Sequence, residues 1–106
     1  MRRNGCNKEC VKFMYFKVHN EQVLACCDKA LAGKKIKADN LEVEADIGFY
    51  GNEEITEERL AEMLKECQNA NLLGKKAVDV ALKAKVISEK SVIRIGKVPH
   101  AVIIKI

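Results

Sequence analysis

The C-terminal segment constrains the fold most, because two apolar runs there flank a glycine and a proline. The runs are Val92–Ile95 and Ala101–Ile106. Gly96 can adopt the positive φ that the first central position of a two-residue turn requires, and Pro99 restricts where the next strand begins. The segment therefore predicts a hairpin of two closing strands. His100 follows the proline at once, so the hairpin displays a titratable ring.

Alternating side chains predict further strands nearer the start of the chain. Val11–His19 and Gln22–Cys27 alternate and are separated by a short polar turn, while Leu41–Asp46 alternates apolar with acidic residues, as half-buried strands do. Strands cluster at both ends and helical patterns lie between them. The pattern predicts an α+β fold, a two-layer sandwich in which two helices pack on one face of a mixed, mostly antiparallel sheet.

Two helical patterns occupy the middle of the chain. The first has Thr56 as a predicted N-cap and an apolar stripe from Leu60 to Cys67. For the second, Asn71 is the predicted N-cap and the helix runs to about Lys85. The basic residues of this second helix are Lys75, Lys76, Lys83 and Lys85. It is predicted to be the most basic element of the chain.

Length and composition indicate one globular domain. The 106 residues are 48% hydrophobic and 32% charged. Residues 1–8 show no periodicity and predict a flexible segment. The flexible basic arm is assigned to residues 1–13 and the single α+β domain to residues 14–106. No apolar stretch approaches the roughly 20 residues of a membrane span, and the first ten residues lack a signal-peptide core. We expect a cytoplasmic protein without a membrane partner.

The charges are separated along the sequence, although the formal net charge is only +4. Residues 39–66 hold ten acidic residues against Arg59 and Lys65, while residues 67–106 hold eight basic residues against Asp79 and Glu89. We expect the C-terminal hairpin and the second helix to lie side by side as one cationic surface, opposite an acidic one. The simpler interpretation of this charge separation is that the acidic and basic surfaces are both merely exposed to solvent and bind no partner.

Five cysteines, an odd number, argue against a disulfide framework in a cytoplasmic protein. Only Cys6 and Cys10 have a spacing suited to zinc, and one such pair does not complete a site. We therefore predict free thiols, no metal and no cofactor. Phosphate-binding glycine loops and the common hydrolase and metalloprotease motifs are absent from the sequence.

One alternative polar site can be drawn from the residues that remain. It would combine Cys27, Asp28 and His100, provided that the fold brings these distant residues into one pocket. An acid beside a thiol raises the thiol pKa, so a nucleophilic Cys27 would need a compensating base. No catalytic residue is assigned on this pattern.

Several segments together resemble a family of archaeal proteins catalogued as domain of unknown function 424. They are Cys27–Asp28, Leu31–Lys34, Phe49–Gly51, Ala70–Gly74 and Val92–Ala101. The likeness extends from about residue 14 to the C-terminus. It implies an intracellular archaeal protein of α+β fold and implies no established activity.

The chain departs from that family in two places. A glutamine commonly follows the Pro-His-Ala triplet in the family, whereas Val102 stands here. Family members also tend to begin near the position of Met14, so residues 1–13, which include Cys6 and Cys10, resemble an added arm. Because the arm carries much of the net positive charge, charge is a poor guide to what the family does.

The hypothesis we favour is a non-enzymatic domain that binds RNA or a ribonucleoprotein partner, in translation. The proposed phosphate contacts are Asn71, Lys75, Lys76, Arg94, Lys97 and His100. Few aromatic residues are available for base stacking, so shape or backbone contacts are expected. The alternatives are a small enzyme or metal-dependent site on His100, Asp28 and Cys27, and a protein-interaction module or homodimer that joins the acidic helix to the basic one.

Overall fold

Residues 13–105 are described by the structure, which is a computed structural model. The strands are β1 (Met14–His19), β2 (Val23–Asp28), β3 (Lys35–Ala38), β4 (Leu41–Glu44), β5 (Glu53–Ile55), β6 (Asn69–Leu73), β7 (Ile93–Ile95) and β8 (Val98–Ile104). The α-helices are α1 (Ile47–Tyr50), α2 (Glu57–Glu66) and α3 (Lys75–Lys83), and short 3-10 helices span Lys29–Leu31 and Glu89–Ser91. The predicted arm, except Phe13, lies outside the described residues, as do Cys6 and Cys10.

Six strands form the main sheet in the order β5-β1-β2-β6-β8-β7, and β3 pairs with β4 in a separate hairpin. Every neighbouring pair in the main sheet is antiparallel except β2 and β6, which run parallel. The parallel pair arises because a long connection joins β2 to β6, and it includes the β3–β4 hairpin, α1, the edge strand β5 and α2. The prediction of a mixed, mostly antiparallel sheet in an α+β fold is confirmed.

The two long helices cover one face of the sheet, as predicted. Helix α2 begins where expected: Thr56 is its N-cap, and its hydroxyl accepts a hydrogen bond from the Arg59 N–H at 3.1 Å. On this face of the sheet, Leu24 of β2 and Leu72 of β6 pack in one core with Leu60 and Leu64 of α2. All four side chains are fully buried. This apolar layer is the larger of two cores.

The opposite face of the sheet is also covered, which the sequence did not indicate. The β3–β4 hairpin and the short helix α1 lie over it, and a second core forms there. This core contains Ala25, Cys27, Ile36, Ala45, Tyr50, Leu73 and Ile95. Helix α1 begins at Ile47 because Asp46 is its N-cap and accepts a hydrogen bond from the Gly48 N–H.

The predicted helix-capping role of Asn71 is wrong. Asn71 lies in the middle of β6, between Ala25 of β2 and Val102 of β8, and α3 begins at Lys75 with Gly74 as its N-cap. The segment resembles a cap in isolation because asparagine favours helix starts. Pairing with two distant strands overrides that local preference.

The acidic and basic helices are neighbours, so this part of the predicted acidic surface does not lie opposite the basic one. Helices α2 and α3 lie in the same layer, and the groove between them is lined by Glu57 and Glu58 on one side and Lys83 on the other. Some of the charges that are separated in sequence therefore meet along this helix-helix boundary.

Candidate functional site

Asp28 ends strand β2 and caps helix α3, which begins 47 positions later in the chain. Its carboxylate accepts hydrogen bonds from the Lys76 N–H at 3.0 Å and the Ala77 N–H at 2.9 Å. Burial raises the pKa of Asp28, and the two N–H donors lower it in part. A carboxylate already occupies the positive end of α3, so this helix start offers no vacant anion site.

Gly74 makes that cap possible. Its φ is +110°, and a Cβ added to it would lie 2.4 Å from the Asp28 carboxyl carbon. Only glycine tolerates both this backbone conformation and this contact. The glycine that ends the Ala70–Gly74 segment therefore serves the Asp28 cap.

A cleft of about 520 Å³ separates helix α3 from the C-terminal hairpin, and we call it the α3–β7 cleft. Its lining residues are Lys75, Val78, Asp79, Leu82, Glu89, Val92, Arg94, Lys97 and Pro99. Three of the predicted phosphate contacts, Lys75, Arg94 and Lys97, thus share one cavity. The second helix and the terminal hairpin do lie side by side.

Local geometry explains how these side chains reach the cleft. On α3, positions 75, 78, 79 and 82 follow helical spacing and face one side. On the hairpin, Gly96 has φ +64° in the predicted two-residue turn between Ile95 and Val98, and this turn projects Lys97. Arg94 pairs with Pro99 and shares its face of the sheet, the face that carries α3.

The cleft is mixed in charge rather than uniformly basic. Asp79 and Glu89 line it together with the three basic side chains, and sequence reasoning missed both acids. Asp79 could have been found from the sequence, because residues four apart on a helix, such as Lys75 and Asp79, face the same side. Glu89 precedes the hairpin and carried no comparable signal.

Lys76 lies outside the cleft. Its ammonium sits 4.8 Å from the centre of the Phe13 ring, which is a cation–π distance. At about 100° per residue, Lys76 falls outside the arc of α3 that carries the four lining residues Lys75, Val78, Asp79 and Leu82. Lys76 therefore belongs to a neighbouring surface at the start of α3.

Asn71 and His100 meet on the other face of the sheet, together with Tyr50, in a group that we call the Asn71 cluster. The Asn71 side-chain oxygen accepts hydrogen bonds from the Tyr50 hydroxyl at 2.7 Å and from the His100 Nε2 at 3.2 Å. Because the oxygen can only accept, Nε2 carries the proton. The His100 Nδ1 is buried and has no hydrogen-bond partner among residues 13–105.

The Asn71 cluster is electrically neutral near neutral pH. Burial lowers the pKa of His100 and raises the pKa of Tyr50 to about 12, so both rings stay uncharged. Sequence reasoning included Asn71 and His100 but missed Tyr50, whose only signal was its place in the Phe49–Gly51 segment. A neutral cluster of this kind is suited to hydrogen bonding rather than to binding phosphate.

The alternative polar site of Cys27, Asp28 and His100 does not come together. Cys27 and His100 share a face but are separated by Leu73 of the intervening strand, a spacing of roughly 10 Å. Asp28 lies on the opposite face. Burial, and then the Asp28 charge, raise the pKa of Cys27 to about 11, so its thiol stays protonated at neutral pH.

Within residues 13–105, no group of three or more His, Cys, Asp or Glu side chains is arranged to hold a metal ion. None of the helices described in that range has the length and apolar character needed to cross a membrane.

Residues 16–106 match a family described as "Protein of unknown function (DUF424)", which agrees with the resemblance noted in the sequence. The fold is similar to the crystal structure of an uncharacterized conserved protein from Methanopyrus kandleri, with a TM-score of 0.68 and 24% sequence identity. That alignment covers 86% of this chain and 88% of the other. No curated protein matches the chain.

Proposed function

The chain belongs to the DUF424 family of proteins of unknown function, and on that premise we propose that it is a non-enzymatic domain that binds RNA through the α3–β7 cleft. The observation that carries the proposal is that Lys75, Arg94 and Lys97, from two separate elements, line one cavity. Lysine provides a point charge for phosphate, and arginine provides a planar fork that matches two phosphate oxygens.

The lining of the cleft favours the RNA backbone over the bases. None of its lining residues within 13–105 is aromatic, so base stacking contributes little there. Asp79 and Glu89 are hydrogen-bond acceptors, and the ribose 2′-hydroxyl is a donor that RNA has and DNA lacks. The two acids would repel a phosphate but suit a ribose placed between phosphates, so RNA should bind more tightly than DNA of the same sequence.

The test is the salt dependence of binding to a fluorescent single-stranded RNA. We compare the wild-type protein with the triple variant Lys75→Gln, Arg94→Gln, Lys97→Gln. Each phosphate contact contributes about 0.7 to the slope of log K against log salt for single strands, so three lost contacts should reduce the slope by about 2. The affinity at low salt should fall at least about tenfold.

The matched control is the triple variant Lys17→Gln, Lys34→Gln, Lys35→Gln. These three lysines are exposed and do not line the cleft, and the variant removes the same net charge. The control should keep the wild-type slope. An equal loss in both triple variants would mean that net charge alone governs binding, and a wild-type protein with no RNA affinity would refute the proposal.

A ribonucleoprotein partner and a role in translation form the wider part of the hypothesis. Pull-down from a native archaeal extract, with and without ribonuclease, tests them. Recovery of ribosomal or translation components that is lost after ribonuclease treatment would support contact through RNA. Recovery that ribonuclease does not change would favour a protein partner instead.

A further inference from the structure

Strand β8 is longer than the strand on its outer side. On the inner side, β6 pairs with His100–Ile104, whereas β7 on the outer side pairs only with Val98–His100. Within residues 13–105, positions 101–104 therefore have a strand neighbour on one side only. The main sheet ends there in an open edge.

The backbone groups that face this open edge can be identified from the ladder. The Gly74 N–H donates to the Pro99 carbonyl and the Lys105 N–H donates to the Gln68 carbonyl, each at 2.9 Å, so odd-numbered residues of β8 direct their hydrogen-bonding groups towards β6. Alternate residues of an antiparallel strand point to opposite sides. The N–H and C=O groups of Val102 and Ile104 consequently face outward.

The side chains at this edge are apolar and exposed. Val102 and Ile104 are 49% and 71% exposed, and Ile93, next to His100 on the same face, is 58% exposed. Proteins usually protect an open edge with charged side chains. The other end of the sheet follows that rule, because the exposed Glu53 and Glu54 lie on its edge strand β5.

We infer that this edge of β8 pairs with β8 of a second copy of the chain, antiparallel and about a two-fold axis at Ile103. In that register Val102 lies opposite Ile104 of the partner subunit, and the symmetry axis generates the reverse pair. The outward-facing N–H and C=O groups of both residues then have hydrogen-bond partners in both subunits. The two edges match because both subunits contribute the same segment, residues 101–104. This segment is uncharged at its outward-facing positions and is bounded by β7 of its own subunit. Pairing with β5 of another copy would instead place Glu53 and Glu54 against apolar side chains.

The test uses Val102→Pro in the full chain. The Val102 N–H points away from β6, so proline removes an intermolecular donor without breaking the intramolecular ladder. The matched control is Val102→Thr, which keeps the N–H and the β-branched shape. The apparent mass is measured by analytical ultracentrifugation under reducing conditions. For the wild-type and Val102→Thr proteins it should rise with concentration from 11.9 kDa towards twice that mass, while for Val102→Pro it should stay at 11.9 kDa.

Hydrogen exchange of the wild-type protein gives a second readout that does not depend on whether the proline variant folds. The Val102 and Ile104 amides should be protected at high protein concentration and exchange rapidly at low concentration. A mass of 11.9 kDa at every concentration would overturn the proposal. Protection that is independent of concentration would also overturn it, because another segment of the same chain would then cover the edge.

Discussion

The two faces of the main sheet differ in the kind of polar chemistry that they carry. The helix-covered face has a charged site, with Lys75, Arg94 and Lys97 lining the α3–β7 cleft and Asp28 capping α3. The hairpin-covered face has the neutral Asn71 cluster. The cleft keeps the three cations in contact with water, whereas the buried Asp28 is stabilised by two backbone N–H donors. On the other face, neutral donors and acceptors satisfy one another.

This contrast shows why neighbours in sequence make poor partners in a site. Cys27 and Asp28 are adjacent, as are Pro99 and His100, yet each pair is divided between the two faces because successive side chains of a strand alternate. Residues that are distant in sequence and lie on different elements, such as Tyr50 of α1 and His100 of β8 around Asn71 of β6, are the ones that meet.

Replacing Gly74 by alanine should cause the greatest loss of stability, and the loss should fall on the helix-covered face. The added Cβ would collide with the Asp28 carboxyl group at 2.4 Å and would strain the backbone at φ +110°. We expect the free energy of unfolding to fall by about 3 kcal/mol in urea denaturation. Gly48→Ala is the control: its Cβ would come no closer than 3.4 Å to another residue, and the change should stay within about 0.5 kcal/mol.

Asp28→Ala should have the next largest effect. It leaves the Lys76 and Ala77 N–H groups without their acceptors, and the second of these bonds is buried. We expect a loss of about 2 kcal/mol, with Asp28→Asn intermediate because an amide offers one acceptor oxygen. Equal stabilities of the wild type and the alanine variant would show that the cap is not required.

Tyr50→Phe should weaken the hairpin-covered face by about 1 kcal/mol. The variant keeps the ring in its core but removes the donor to Asn71. Tyr15→Phe is the matched control, since Tyr15 contacts Lys29 through its ring and not through its hydroxyl. The two variants should therefore differ in urea midpoint but share the same slope. If Tyr15→Phe lost as much unfolding free energy as Tyr50→Phe, the stabilising role assigned to the Tyr50–Asn71 hydrogen bond would be contradicted.

The pH dependence of stability should show the smallest effect, and it should come from His100. Burial lowers the His100 pKa in the folded state, so the unfolded state takes up a proton first as the pH falls below about 6.5. Stability is thus lost on acidification, from about pH 6.5 down to the lowered pKa. His100→Gln should flatten that part of the urea-derived stability profile, and a profile with unchanged slope would assign the titration to another group.

Much of the fold could be predicted because its signals are local. The Thr56 cap, the Gly96 turn and the alternation of β4 are each contained in a few residues. Strand β6 could not be predicted, since Asn71 suggests a helix start and only pairing with β2 and β8 makes this segment a strand.

The candidate site was predicted in part for the same reason. Lys75, Arg94 and Lys97 were found because charge is visible in sequence, whereas their assembly in one cavity depends on the packing of α3 against the hairpin. The Asp28 cap joins residues 48 and 49 positions apart, and no local pattern reports such a contact. The sequence identified the charged residues, but only the fold determined which of them share a face of the main sheet.

The most direct test of the account compares RNA affinity between variants of the two faces over a range of salt concentrations. The first is Lys75→Gln, Arg94→Gln, Lys97→Gln, and the second is Asn71→Ser with His100→Gln. The account predicts that the first loses about 2 from the salt slope while the second keeps the wild-type slope and affinity. Loss of binding in the second variant with retention in the first would contradict it.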